Sequence, residues 1–531
     1  MAELTTALQH LLGVPAGLIK EELSGLYGTN VLQDMYEVIK LYDTYENGAK
    51  YTAEASTDYV PADLRYKKTQ SLINKIARFM FSKTPDFYVD PVIDDNQTEI
   101  EANKRASDTY KDLIDAVLKE NGFSLAILKA AKDCFIGKRV ALMFNINEDT
   151  GIQISFLPSL EFVYDVDPNN SNLLTKVVVF YNLNTNKDKK DQRIYKKKYW
   201  MENGFAHYSE IIYDGTGNPI ETIAEDETTL FEFIPCWVIV NDGLTGDLMG
   251  TSEVSNIQDY ESWYSRLAAA DMDAERKGMN PIRYTIDASP ESTQGLSIAA
   301  GAFWDLASDQ NQASDKSAQV GVLDTPMSYS AALGTTLNRI GNIMHEQSAV
   351  PNVSPEALQG IVTSGKTLKA IYWDLIVRCD EKMLAWRPAL EFLAECIIEG
   401  VRLYPKAGEK YLNGESLPDA PYTVRVDNQY SLPEDETEEK QIDIAEVTAQ
   451  TMSRKSYMKK WRGLTDDEAD EELKQIAAER AILEDSYSAP VEDGTEATNE
   501  NPEKEENPEN QNDKENPEEQ EEEEILTNEE S

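Results

Sequence analysis

Histidine is almost missing. His10, His207 and His345 lie far apart in a chain of 531 residues, so no metal site is legible from spacing. Cysteine is scarce as well. Cys134, Cys236, Cys379 and Cys396 are scattered, with no Cys-x-x-Cys pair. That argues against a disulfide framework and for a reducing compartment. No apolar run approaches the roughly 18 residues of a membrane span, and no signal-peptide pattern opens the chain, so a soluble protein made in a cytoplasm is expected. The largest deficit is positive charge: 50 Lys and Arg stand against 96 Asp and Glu, a formal net charge of −46. The last 41 residues hold 18 acids and 2 lysines, and the other 490 still carry about −30. Such a surface repels phosphates, which excludes nucleic-acid binding over the general exterior. The many carboxylates form no pairing pattern that marks a catalytic centre.

What is present is organised around Met327 to Tyr404. Tyr329, Leu333, Leu337, Ile340 and Met344 form a helical stripe that Pro351 and Pro355 break. A loop follows, then a second helix striped by Leu368, Ile371, Leu375, Cys379, Met383, Trp386, Leu390, Leu393 and Ile397. Its expected length is roughly 60 Å, with a kink at Pro388. Between the two, Gly360-Ile-Val-Thr-Ser-Gly365-Lys366-Thr367 fits the phosphate-cradling pattern G-x-x-x-x-G-K-[ST]. That pattern needs a buried strand just before it. Val353 to Gly360 has no apolar run and contains a proline, so the reading preferred here is a loop and a helix start with Ser364 as N-cap. A nucleotide hydrolase using Lys366 and Thr367 is the alternative.

Taken in order, residues 64–83 predict a helix with Leu72, Ile76, Phe79 and Met80 on one face. Arg65, Lys67, Lys68, Lys75, Arg78 and Lys83 lie around it, a solvated basic face or a local phosphate contact. Thr84-Pro85 ends it. A second helix spans about 99–120, stopped by Asn121-Gly122. From 138 to 240 the pattern turns to strands: Arg139–Phe144, Val177–Tyr181, a tight type I′ hairpin at Asn203-Gly204, a turn at Asp214–Asn218, and Leu230–Val240 as a strand pair or a strand broken at Pro235. A helix over Ser252–Lys277 carries a narrow stripe of Val254, Ile257, Tyr260, Tyr264, Leu267 and Ala274. A short β-rich insertion follows, with strands expected at Arg283–Ile286 and Ala302–Leu306 and an exposed loop at Ser308–Ala318.

This order resembles the portal proteins of tailed phages, of the siphovirus type. The residues carrying the resemblance are Lys83-Thr84-Pro85; Ala131 to Gly137 running into Lys138–Leu142; the strand Phe156–Asp165; Ile234-Pro235; Asn241; the Gly250-Thr-Ser-Glu start; and the loop from Val350-Pro351 through Ser354, Gly360 and Ser364-Gly365 to Leu368-Lys369. The resemblance spans roughly residues 60–485 and rests on the order of these motifs.

The resemblance implies an α+β, portal-type subunit: wing over 1–249, stem helix 250–280, clip 281–326, second stem helix 327–350, tunnel loop 351–364, long kinked wing helix and return strand 365–432, helical crown 433–488, and a disordered acidic tail 489–531. It implies a ring of about a dozen subunits at one capsid vertex, a channel for double-stranded DNA during packaging and ejection, and no enzymatic activity, cofactor or metal. The implied partners are the large terminase subunit that drives packaging, head-completion or adaptor proteins, and the major capsid and scaffolding proteins. DNA would pass without sequence specificity, and the protein would reside in the virion. The tunnel loop would present Asn352, Val353, Ser354, Glu356, Gln359, Gly360, Val362 and Thr363 to the DNA. Arg339, Lys366 and Lys369 are candidates for basic rings between mostly acidic walls. Arg283, Tyr284, Phe303, Trp304 and Asp305 would dock partners at the clip. A basic cluster in the crown, Arg454, Lys455, Lys459, Lys460 and Arg462 around Tyr457 and Trp461, is the pattern of a nucleic-acid contact; the reading preferred here is salt bridging between subunits against the acidic helix that follows. A capsid scaffold or head protein without a channel is the remaining competitor.

Overall fold

The computed structural model describes residues 14, 17–18, 22, 31–49, 60–92, 97–148, 150–184, 188–279, 282–294, 296–297, 304–309, 317–323, 328–353, 369–412, 414, 416–430 and 436–487. The chain divides into two units, 1–435 and 436–531. Among the described residues helix makes up 49% and strand 25%, and every ladder is antiparallel. That combination is α+β, as expected, because parallel βαβ crossovers are missing among the described residues.

The first unit begins with α1 (Val31–Asn47) and α2 (Lys68–Phe81). Leu72, Ile76 and Met80 of the predicted face of α2 are buried, with Ile73 and Ala77 added to them, Phe79 is half-buried, and Lys75 and Arg78 are exposed. β1 (Asp86–Pro91), α3 (Gln97–Glu120) and α4 (Phe123–Gly137) follow. Gly122 takes φ +59 between α3 and α4, the left-handed stop that its sequence position predicts.

Two sheets come next. β2 (Arg139–Asn147) lies between β3 (Gly151–Pro158) and β9 (Cys236–Val240). β4 (Phe162–Asp167), β5 (Asn170–Asn184), β6 (Arg193–Glu202), β7 (Phe205–Tyr213) and β8 (Pro219–Thr228) form a meander in that order. The Asn203-Gly204 hairpin is present, with both residues at positive φ. So is the second turn, where Asp214 Oδ1 accepts from the amides of Thr216 and Asn218, each at 2.9 Å. Two expectations fail here. Phe156–Asp165 is two strands joined by a corner at Ser159–Glu161, not one. Leu230–Pro235 is not strand; Phe231 and Ile234 fill the core, with Phe231 edge-on to Phe144 at 6.1 Å, while Leu230 is exposed.

The remaining elements of this unit are α5 (Glu253–Met279), β10 (Ile282–Ile286), β11 (Gln319–Leu323), α6 (Ser330–Gln347), α7 (Trp373–Leu403) and β12 (Tyr422–Asp427). The predicted second strand of the insertion is misplaced. Residues 304–307 are irregular, and β10 pairs with β11 instead. Helix α7 is shorter than expected: Tyr372 sits in a turn, and 31 residues span about 46 Å. Its stripe is correct from Leu375 to Ile397. Trp386 is the largest buried side chain, tilted against Phe81 of α2 at 5.0 Å and Phe156 of β3 at 6.3 Å. Pro388 lies inside α7 on its exposed face, one turn after exposed Leu384. The hydrogen bond that proline removes is therefore on the solvent side, where it costs least. β12 returns to pair with β1, Phe87 opposite Val426.

The second unit holds α8 (Glu436–Thr448), α9 (Arg454–Arg462) and α10 (Asp466–Tyr487). Thr465 and Glu468 form the predicted capping box: Glu468 Oε2 accepts from the Thr465 amide at 2.9 Å, and Thr465 Oγ1 accepts from the Glu468 amide at 3.4 Å.

Candidate functional site

Helices α5 and α6, which fall at the positions expected for the two stem helices, pack together. The buried face of α5 is not the predicted stripe. Val254 and Ile257 are buried, but the row continues through Glu261, Ser265, Ala268 and Ala269, while Tyr260, Tyr264 and Leu267 are half-buried. Polar residues occupy the buried row because a distant segment supplies their partners. Glu261 Oε1 accepts from the Lys68 amide at 2.8 Å, and the Thr69 hydroxyl donates to its other oxygen. This carboxylate caps α2, whose own N-cap, Lys67, contributes no side-chain hydrogen bond. Ser265 Oγ accepts from the Tyr66 amide at 3.3 Å, and Asp273 from the Ala62 amide at 2.8 Å. Burial pushes the Glu261 carboxyl above its usual range, with the Thr69 and Lys68 hydrogen bonds pulling the other way. Lys68 Nζ lies 3.9 Å from the centre of the Tyr264 ring.

The start of α5 is tied to α7 by a buried ionic knot that the sequence did not disclose. Glu253 and Lys382 are both almost wholly buried. Lys382 Nζ reaches Glu253 Oε1 at 2.5 Å and Asn241 Oδ1 at 2.8 Å, and sits 4.6 Å from the centre of the Phe135 ring. Arg378 bridges Glu253 at 2.9 Å and Asp242 at 2.5 Å. Two cations thus face two anions, which is how a dry interior tolerates charge. Burial alone would raise the Glu253 carboxyl; Lys382 and Arg378 outweigh it and hold the group below its usual range. The signal that could have found these residues is an acid recurring in the same helical row as Val254 and Ile257.

Helix α6 buries only Gly341 and Met344. Leu333, Leu337 and Ile340 are half-buried. The two helices differ in charge. α5 carries six acids and three Lys or Arg, whereas Arg339 and Glu346 are the only Asp, Glu, Lys or Arg of α6. After α6 the chain turns at Ala349, φ +53, with His345 Nδ1 2.9 Å from the Val350 oxygen. Burial lowers the His345 pKa. Asn352 is exposed and donates to Asn342 Oδ1 at 3.4 Å. Asn342 lies three residues from exposed Arg339, so both occupy one face of α6. Val353 is half-buried and Lys369 exposed. Ser354, Glu356, Gln359, Gly360, Val362, Thr363 and Lys366, with the whole nucleotide-loop match, lie outside the described residues.

At the insertion, the Arg283 guanidinium lies 5.3 Å from the centre of the Trp304 ring, so two predicted docking residues meet. Trp304 Nε1 donates to the Ser297 oxygen at 2.6 Å. The Tyr284 ring covers Gly321 on the paired strand, where a Cβ would collide with it. Asp305 is exposed, and Phe303 lies outside the described residues.

In the second unit the basic cluster of α9 pairs within its own chain. Lys459 meets Asp466 at 2.9 Å, Lys455 meets Asp470 at 2.9 Å, Lys460 meets Asp443 at 2.8 Å, and Arg462 meets Glu472 at 2.9 Å. Trp461 Nε1 donates to Asp443 at 2.6 Å. The acidic helix α10 is a partner, with Asp443 of α8 beside it, and these bridges close inside one chain because the short 463–465 connection folds α10 back on α9.

Comparison with curated proteins finds none that matches. The sequence model of one family, described as phage portal protein, SPP1 Gp6-like, matches residues 29–482. That span includes α1 to α9 and most of α10, hence every element discussed above. Proteins of this family are structural components of the phage head-tail connector, and the family is not an enzymatic one. The chain belongs to the phage portal proteins of the SPP1 Gp6-like type.

Proposed function

We propose that this chain assembles into a closed ring of about a dozen copies at one capsid vertex, through which double-stranded DNA is packaged and ejected. The observation that carries this reading is the helix pair α5–α6, which leaves apolar surface that one subunit does not cover. Trp263 and Met272 on α5 are about half exposed and Met279 is 78% exposed. Leu333, Leu337 and Ile340 on α6 are half-buried. A monomer gains nothing from such rows; a ring buries them against neighbours. In this reading α6 and the loop over 351–364 face the channel. A near-neutral helix suits a polyanion that must slide, since fixed phosphate contacts at each step would hold it back. Arg339, Lys366 and Lys369 supply weak basic rings.

The β10–β11 ribbon is the docking platform for the packaging motor and later for head-completion proteins. Support comes from its exposure. Tyr284, Ile286, Val320, Val322 and Leu323 are each at least 46% exposed, and an isolated two-stranded ribbon is marginal in water. The decisive experiment is negative-stain microscopy with light scattering on the purified chain. Rings with a central hole near duplex width are expected. Monomers or dimers at every concentration, with no rings, would overturn the assembly.

A further inference from the structure

Strands β6, β7 and β8 lie side by side in the five-stranded sheet, with Trp200 paired to His207, Glu202 to Phe205 and His207 to Thr228. Side chains alternate across a strand, so Trp200, Glu202 and His207 share one face. The β7–β8 pairing slips between Tyr208 and Glu210, and Asp226 takes φ +53 on β8. Its carboxylate reaches His207, with Nδ1 2.9 Å from Asp226 Oδ1. Trp200 packs against the imidazole at 5.8 Å between ring centres, and its indole N–H donates to Glu202 Oε2 at 3.1 Å. The Thr228 hydroxyl lies 3.4 Å from His207 Nδ1. One candidate ligand atom each from Glu202, His207 and Asp226 fall within 4.8 Å of one another. Among the described residues no other three His, Cys, Asp or Glu do so, in a chain of 96 acids. Acidity alone therefore does not produce such a cluster here.

The chemistry of the cluster favours a cation. A neutral imidazole has one N–H and one lone pair, and carboxylates from two different strands converge on it. Trp200 already orients one of those carboxylates and walls one side of the ring. Glu202 and His207 sit on hydrogen-bonded ladders, so their backbones are held in place before any ion arrives, and Asp226 stands at the irregularity in the β7–β8 pairing that turns its carboxylate toward them.

We propose that Glu202, His207 and Asp226 form a binding site for a divalent transition-metal ion, zinc being the type case, through one imidazole nitrogen and two carboxylate oxygens. The nitrogen ligand selects zinc, nickel or cobalt over magnesium and calcium, which prefer oxygen alone. Two carboxylates neutralise the charge of the dication, and water completes the shell. The ion ties three neighbouring strands and pins β8, the edge of the sheet. It would stabilise the folded chain by mass action.

The test uses the full chain, stripped with a chelator and titrated calorimetrically with zinc sulfate and separately with magnesium chloride. One zinc per chain is expected, with magnesium at least about tenfold weaker. His207→Ala and, independently, the surface variant Glu202→Gln should each weaken zinc at least about tenfold, with unchanged circular dichroism, while His345→Ala leaves it unaltered. Trp200→Phe keeps the ring but removes the N–H that orients Glu202, so it should weaken zinc by a smaller factor. A visible cobalt absorption band that disappears in His207→Ala gives a second readout. The proposal is overturned if folded wild-type chain takes up no zinc, or if both variants bind it with wild-type stoichiometry and affinity.

Discussion

Glu253 and Glu261 both lie on the buried face of α5, yet pH acts on them in opposite directions. The Glu253 carboxyl is held below its usual range, so its contribution to stability is present above the unfolded value near 4.5 and is lost as pH falls. The Glu261 carboxyl is raised, so its contribution is full below that value and is lost as pH rises through the folded pKa. Glu261→Gln removes that titration. The wild-type melting temperature minus that of the variant should therefore shrink between pH 4 and pH 7; a constant difference would refute the assignment. Lys382→Met leaves Glu253 buried beside Arg378 alone, and a cost of about 3–5 kcal/mol is expected by denaturant titration. Adding Glu253→Gln should recover part of that loss, because the stranded charge causes most of it. Lys366 gives a third residue-level outcome. Calorimetry with ATP and magnesium should detect no binding by the wild type and none by Lys366→Ala. Micromolar binding abolished by the substitution would restore the nucleotide-loop reading of Gly360–Thr367.

Elements differ in how openly the sequence announces them. In α7 the spacing from Leu375 through Met383 and Trp386 to Ile397 needs nothing but a 3.6-residue period, and all of these side chains are buried. Asn203-Gly204 is equally plain, since two consecutive positive φ angles demand those residue types. The buried face of α5 was not legible. Glu261 and Ser265 become buried only because Lys68, Thr69 and Tyr66, about 190 to 200 residues away, present donors to them. β11 was missed for a related reason: a ribbon exposed on both faces leaves no burial pattern to read, and Ala302–Leu306 has equal strand character. In the candidate site, Arg283 and Trp304, both expected as docking residues of the insertion, meet in space, whereas Arg378 and Lys382 give no spacing signal and Glu253 only an acid that recurs with Glu261 on the buried face of α5. The loop over 351–364 is where an element-level outcome separates two roles. Pro351, Pro355 and Gly360 predict from the sequence a segment outside both flanking helices, and Glu356 is the only charge between Val353 and Val362. If it contacts DNA, Gln359→Lys adds a ring of phosphate anchors, sparing ring assembly while impairing packaging and making it more salt-dependent. Normal packaging with destabilised rings would assign the loop to subunit packing instead.

At the scale of the whole molecule the governing quantity is charge. Each copy carries a formal −46, about 16 of it in the last 41 residues, and a ring concentrates that charge around one axis. In the proposed ring, assembly must overcome this repulsion with the apolar rows of α5 and α6 and with whatever the β10–β11 ribbon contributes. The segment beyond Ser488 is dominated by Glu, Asn and Pro and has almost no apolar residues, so its sequence predicts repulsion and little apolar burial. Stopping the chain at Ser488 should therefore leave folding and ring formation intact. It should also make assembly less dependent on salt, because less like charge needs screening at a Debye length of about 10 Å in 0.1 M salt. Sedimentation of full-length and shortened chains across a salt series measures both effects at once. Equal ring yields at high salt with a higher yield for the shortened chain at low salt are expected. Loss of soluble rings on shortening at every salt concentration would show that the acidic segment makes contacts on which the ring depends.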